Sequence, residues 1–142
     1  MAGLWQSKSA WVLLPLLGAA GGALAGELRV EVEGLRNADG TIYAAVCTED
    51  EFLQPACAHF GRAPASEGAV TVTGVPPGTY AVQAVHDENN NQTLDRPGFL
   101  PTEGMGFSRD ARMRMGPPRF ADAAFELEEP GATVRLTMRY FQ

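Results

Sequence analysis

The chain is poor in cations, in cysteine and in histidine, and it has no charge-free apolar run of membrane-spanning length. Its 142 residues carry 11 Lys and Arg against 17 Asp and Glu, a formal net charge of −6. Nucleic-acid binding needs a basic face, and adhesion to an anionic bilayer needs clustered cations, so this balance speaks against both. Two Cys are too few for a disulfide-dense scaffold, and two His, His59 and His86, too few for a zinc centre of clustered ligands. With 45% hydrophobic and 20% charged residues, the composition is nonetheless that of a folded domain rather than a disordered chain. A small acidic globular protein remains.

The start of the chain reads as an address. Lys8 precedes an apolar stretch over residues 10–17, and small residues follow, ending in Ala23-Leu24-Ala25. That order predicts a secretory signal over residues 1–25, cleaved before Gly26. The whole of 10–25 is short for a bilayer span of about 20 residues, and residues 18–22 are only Gly or Ala. The expected mature form is therefore one domain, residues 26–142, in the periplasm or outside the cell, with no membrane segment. Lys8 is the only lysine, so this domain has ten arginines as its fixed cations and a net charge of −7. Disulfides persist in such compartments. Cys47 and Cys57 lack the C-x-x-C spacing of a redox pair and read as a structural disulfide.

Period-two alternation dominates the rest. Leu28, Val30 and Val32 fall on one face of residues 27–33, with Arg29, Glu31 and Glu33 on the other. Ile42, Ala44 and Val46 repeat the pattern, as do Val70 with Val72, and Phe125 with Leu127. Residues 79–86 are rich in β-formers, and Val134, Leu136, Met138 and Tyr140 make a last apolar face. Turn chemistry at residues 36–40, 75–78 and 129–131 separates these six strands. The spacing predicts an all-β antiparallel β-sandwich. Residues 48–68 and 87–119 depart from the pattern. Thr48-x-x-Glu51 would cap a single helical turn in the first of them. The second is a long loop of the kind that is functional or held together by something.

That loop opens with Asp87-x-Asn89-x-Asn91-x-x-x-Asp95. Side-chain oxygens at positions 1, 3, 5 and 9 of a coiled loop replace water around a hard cation such as Ca²⁺, and Thr93 at position 7 would add its backbone carbonyl. An EF-hand has Gly at position 6 and Glu at position 12; here these are Gln92 and Gly98, and a strand rather than a helix precedes the loop. Glu103 is the nearest candidate for the missing carboxylate. The same residue types also make self-bonded turns, since Asp and Asn bond their own backbone, and both readings stand.

The segments His86-Asp87-Glu88-Asn89-x-Asn91-x-x-x-Asp95, Pro101-x-Glu103-Gly104-x-Gly106-Phe107-Ser108 and Pro117-Pro118-x-Phe120-x-Asp122-Ala123 resemble an exported bacterial family, domain of unknown function 2141. The resemblance spans essentially the whole mature chain, departs from the family at Gln92, where Gly is usual, and brings no established activity. Residues 75–80, with Pro-Gly-x-Tyr, also resemble strand entries in transthyretin-like (prealbumin-like) and carboxypeptidase-regulatory-like sandwiches. That likeness implies a binding or accessory role.

No nucleophile, base and orienter can be assembled from these residues, so no catalytic residue is assigned. Gly106-Phe107-Ser108-Arg109-Asp110 lacks the second Gly of a nucleophile elbow. The function read from the sequence is an exported non-catalytic module for a protein, peptide or glycan ligand, with a Ca²⁺ loop ordering its surface. The runner-up is a small periplasmic hydrolase using Glu103 or His86. Arg109, Arg112, Arg114 and Arg119 form the one basic segment, a candidate anion clamp. Pairing with the acidic run Glu126, Glu128 and Glu129 is the preferred alternative for them.

Overall fold

Strands form where the alternation predicts them, and twice where it does not. The structure, a computed structural model, describes residues 26–54, 57–91, 103–129 and 131–141. The expected secretory signal and two of the nominated cation ligands, Thr93 and Asp95, lie outside the described residues. The strands are β1 (Gly26–Glu33), β2 (Thr41–Cys47), β3 (His59–Pro64), β4 (Ala69–Val75), β5 (Gly78–Asp87), β6 (Gly104–Phe107), β7 (Phe125–Leu127) and β8 (Thr133–Thr137). One helical turn, α1 (Phe120–Ala123), precedes β7.

They build two sheets, ordered β4-β1-β8 and β3-β2-β5-β6, with β7 also on β5. Every pairing is antiparallel except β1 with β8, which is parallel. The fold is thus an all-β sandwich with one parallel pair at its edge. Leu28, Val30, Ile42, Val46, Val70 and Val72 are fully buried between the sheets. Each such side chain contributes about 1.5–3 kcal/mol relative to exposure. The opposite face of β1 stays wet, with Glu31 bridging Arg29 at 3.1 Å and Arg135 at 2.9 Å.

The outer face of the second sheet is covered as well. Residues 48–54, 57–58 and 108–124 fold over it, burying Cys47, Phe52, Cys57, Ala81, Phe107 and Ala123 in a second apolar cluster. The Phe52 ring meets Phe107 and Phe120 edge-on, at 5.9 and 5.8 Å. The Cys47–Cys57 disulfide is formed. Glu51 closes the same loop a second time, because its carboxylate accepts the Thr48 and Ala58 backbone N–H groups, each at 3.0 Å. The Thr48-x-x-Glu51 signal is therefore realised as a hydrogen-bonded turn.

The N–H groups of Thr48 and Ala58 favour the charged carboxylate and hold the Glu51 pKa below its ordinary 4.5. A depressed carboxylate stabilises the fold fully above its unfolded value and loses that contribution as pH falls through its folded value. Glu51→Gln is accordingly expected to lower the urea midpoint at neutral pH and to leave a flatter stability profile below pH 4.5. Parallel profiles for the two proteins in a urea titration series across that range would show that the carboxylate contributes nothing.

The two unforeseen strands have physical reasons. β3 turns its apolar Phe60 outward, 70% exposed, beside Arg62 and Pro64, which inverts the usual alternation. β6 is Gly104-Met105-Gly106-Phe107, a composition that reads as loop. Both glycines are required by close approach of the other sheet. A Cβ at Gly104 would lie 2.6 Å from Met138 Cγ, and one at Gly106 2.8 Å from the Thr137 carbonyl oxygen. Beyond β8 the chain pairs with β6 through two bonds between Met105 and Arg139, of 3.0 and 2.9 Å, which tie the sheets together along one side.

Ser108 fills the break between β6 and β7 along the edge of β5. Its Oγ accepts the Val82 N–H at 2.9 Å and donates to the Ala123 carbonyl at 2.6 Å. The hydroxyl is fully buried and stands in for a missing strand residue, satisfying two backbone groups that would otherwise be orphaned at about 1–3 kcal/mol each.

Candidate functional site

Among the described residues, the buried polar side chains are His86, Asp87, Glu103 and Ser108. Three of these four gather where β5 ends, against the turn between β1 and β2. Burying polar groups costs free energy unless they are bonded, so such a concentration marks a built site.

His86 sits on the inner face of β5. Its Nε2 lies 2.6 Å from the Asp39 carbonyl oxygen and its Nδ1 2.7 Å from the Tyr140 hydroxyl. A carbonyl only accepts, which places a proton on Nε2 and leaves Nδ1 to accept the Tyr140 proton. The Tyr140 oxygen in turn accepts the Arg36 backbone N–H at 3.2 Å. Burial pushes the Tyr140 hydroxyl pKa up. His86 thus clamps the β1–β2 turn and the chain end to β5, with both ring nitrogens on protein partners.

Glu88, one residue past the strand, ties the following loop to that same turn. It pairs with Arg36 at 2.6 Å and accepts from Asn37 Nδ2 at 2.9 Å. The Arg36 guanidinium, which also lies 4.5 Å over the Tyr140 ring, holds the Glu88 carboxyl below its ordinary range. Asn90 takes a left-handed conformation (φ 56°), and its Oδ1 accepts from Thr41 Oγ1 at 2.7 Å. Glu88 and Asn90 therefore bond to the β1–β2 turn and to the start of β2, and the residues that alternate with them are Asp87, Asn89 and Asn91.

Those alternate residues are the nominated ligands. The Asn91 N–H is shared between Asp87 Oδ1 and Asn89 Oδ1, each at 3.2 Å. Glu103, one position before the Gly104 that pairs with His86, is buried beside them, and its Oε2 accepts the Glu88 N–H at 3.2 Å. Four of the six nominated residues (Asp87, Asn89, Asn91 and Glu103) are thereby brought to one end of the sandwich. Among the described residues no three His, Cys, Asp or Glu side chains are grouped to hold a metal ion. A hard-cation site here would draw on amide and backbone oxygens beside its carboxylates.

The model of a bacterial family, described as an uncharacterized protein conserved in bacteria (DUF2141), matches residues 30–135. The chain belongs to this family. The matched range runs from β1 to β8 and takes in the buried cluster of this DUF2141 chain. No curated protein and no solved structure matches it.

The basic segment of the DUF2141 chain divides. Arg109 bends back in a left-handed conformation (φ 59°) and donates to the Ala124 carbonyl at 3.3 Å. Arg112, Arg114 and Arg119 instead surround a cleft of about 460 Å³. The expected pairing with the acidic run is not seen. Among the described residues no ion pair joins it to Glu126, Glu128 or Glu129, which line a cleft of their own. Charge order along the chain failed here because β7 carries Glu126 to a bond with Thr79 on β5.

Sequence reasoning overlooked Arg36, Asn37, Glu88 and Tyr140. The turn signal at residues 36–40 was visible, but nothing local says that it docks on the end of β5, some 50 residues away.

Proposed function

We propose that the protein is an exported, non-catalytic binding or accessory module in which Ca²⁺ orders the loop beginning at Asp87 into a recognition surface for a protein, peptide or glycan. The observation behind this reading is the convergence of Asp87 and Asn89 oxygens on one backbone N–H, with the buried Glu103 carboxylate delivered alongside by β6. A loop in which the Asp87 and Asn89 oxygens already meet at one backbone N–H, and which Glu88 and Asn90 tie to the turn before β2 and to its first residue, would need little reorganisation to take a cation. Asp87, Asn89, Asn91 and Glu103 would contribute to the ligand set, with Thr93 and Asp95 from the same motif.

Export is supported by the N-terminal pattern and by a disulfide of the kind that persists in oxidising compartments. Likeness to transthyretin-like sandwiches belongs to the same reading. Its support is the corner in which the Tyr80 hydroxyl donates to the Pro76 carbonyl at 2.7 Å.

With few carboxylates in the set, affinity is expected in the extracellular class, on the order of 10⁻⁴–10⁻³ M. Calcium at tenfold excess over Kd then stabilises by about 1.4 kcal/mol, a rise of several degrees in Tm. Calorimetry of the full chain should show saturable heat that Asp87→Ala abolishes. Absence of both heat and Tm shift at millimolar Ca²⁺ would leave the self-bonded turn as the whole explanation of the motif.

A further inference from the structure

The cleft between Arg112, Arg114 and Arg119 carries more positive charge than its surroundings neutralise. Its remaining walls are Pro117, Pro118 and Asp122. Asp122 pairs with Arg119 at 3.3 Å, through side chains 45% and 83% exposed. Among the described residues Arg112 and Arg114 have no carboxylate partner, although the chain as a whole has net charge −6. Three guanidiniums against one carboxylate leave an excess of two positive charges.

The segment that presents them is held rigidly at its base. Arg109 and Asp110 both adopt left-handed conformations (φ 59° and 51°), which non-glycine residues keep only where the surroundings impose them. Here the surroundings are the buried Ser108 hydroxyl on Val82 and Ala123, and the Asp110 carboxylate accepting the Thr137 N–H at 2.8 Å. At the far side Pro117 and Pro118 fix the backbone leading into Arg119. Between these anchors residues 111–119 form no strand or helix, and Arg112, Arg114 and Arg119 line the cleft.

We propose that Arg112, Arg114 and Arg119 form a receptor for a phosphate group. Guanidinium forks grip phosphate oxygens in pairs of charge-assisted bonds. Three forks around one cleft suit a tetrahedral group with several terminal oxygens better than a planar carboxylate. The charge agrees, because a phosphate monoester near −2 offsets the excess, whereas a carboxylate offsets half of it. Two sources supply this chemistry, a soluble phosphomonoester or the monoester headgroup of phosphatidic acid. Met115, fully exposed beside Arg114, is the feature that an acyl layer would cover.

The test is titration of the full chain with inorganic phosphate and, separately, with vesicles containing phosphatidic acid. Saturable phosphate binding is expected, with affinity reduced at least about tenfold in Arg112→Gln/Arg114→Gln. Arg62→Gln, an exposed arginine on β3, should leave it unchanged. Asp122→Asn frees Arg119 and should tighten binding by up to about fivefold. Affinity should fall as pH is lowered from about 8 to about 6, because inorganic phosphate passes there from dianion to monoanion. Vesicle binding that the double variant abolishes, with no response to free phosphate, assigns the headgroup as the source. Binding of neither probe, equal affinity in the double variant, or acetate binding as well as phosphate would overturn the proposal. Melting curves for each variant separate loss of binding from loss of fold. The calcium reading stands or falls independently of this result.

Discussion

Gly40→Ala is expected to destabilise the protein more than any other single methyl addition near the site. Gly40 has φ +74°, and a Cβ there would overlap the Asp87 carbonyl oxygen while lying 2.7 Å from Glu88 Cα. The obstruction is backbone on every side, so no side chain can swing away. Left-handed strain costs about 1 kcal/mol, and forcing packed backbone apart a further 1–3 kcal/mol or more. A loss of about 2–4 kcal/mol is a large part of the stability of a domain this size, and it corresponds to a fall in Tm of roughly 8–20 °C. Gly74 supplies the control. It has φ +73°, but no atom stands within 4 Å of its Cβ position. Gly74→Ala should therefore cost only the conformational strain, about 1 kcal/mol. Equal losses for the two variants in urea denaturation would show that contact with Asp87 is not what demands glycine. Because the overlap displaces the Asp87 carbonyl, the Gly40→Ala protein should also respond less to Ca²⁺ than the unaltered chain.

Opening the disulfide is the second large effect. Cys47 and Cys57 are ten residues apart, and closing a loop of that size restricts the unfolded chain by an amount worth about 3 kcal/mol. Both sulfurs are buried in the outer apolar cluster beneath Phe52. Cys47→Ala/Cys57→Ala should consequently melt roughly 10 °C below the unaltered protein. The Glu51 carboxylate bridges the same loop through Thr48 and Ala58, so the native turn is retained and the effect falls mainly on the unfolded state. Two tests follow from this. Hydrogen exchange of the Thr48 and Ala58 amides should stay slow in the double variant. A Tm unchanged by reductant, in a sample whose mass confirms two free thiols, would mean that loop closure contributes nothing to the fold.

Local order was legible wherever one face is buried and the other wet. β1 and β4 announce themselves because their apolar residues, Leu28 and Val70 among them, recur at period two beside polar residues, and a strand with one buried face has no other register to adopt. The Asp and Asn motif after β5 was legible for a similar reason. Asp87, Asn89 and Asn91 are neighbours in the chain, and a single turn suffices to align them. β3 and β6 were not legible, because their character comes from what lies against them. Phe60 points outward from an edge, and Gly104 and Gly106 are small because Met138 and Thr137 pass over them.

Composition and spacing alone settle that this is an all-β chain whose two cysteines lie close enough to bridge, and whose loop after residue 87 is rich in side-chain oxygens. These properties depend on residues within a few positions of one another. Three matters had to wait for the folded chain: that β8 runs parallel to β1, that Arg36 and Tyr140 support the buried His86, and that the arginines avoid the acidic run and enclose a cleft. Each depends on which distant segments meet. That is set by the packing of two whole sheets, and no window of sequence contains both partners.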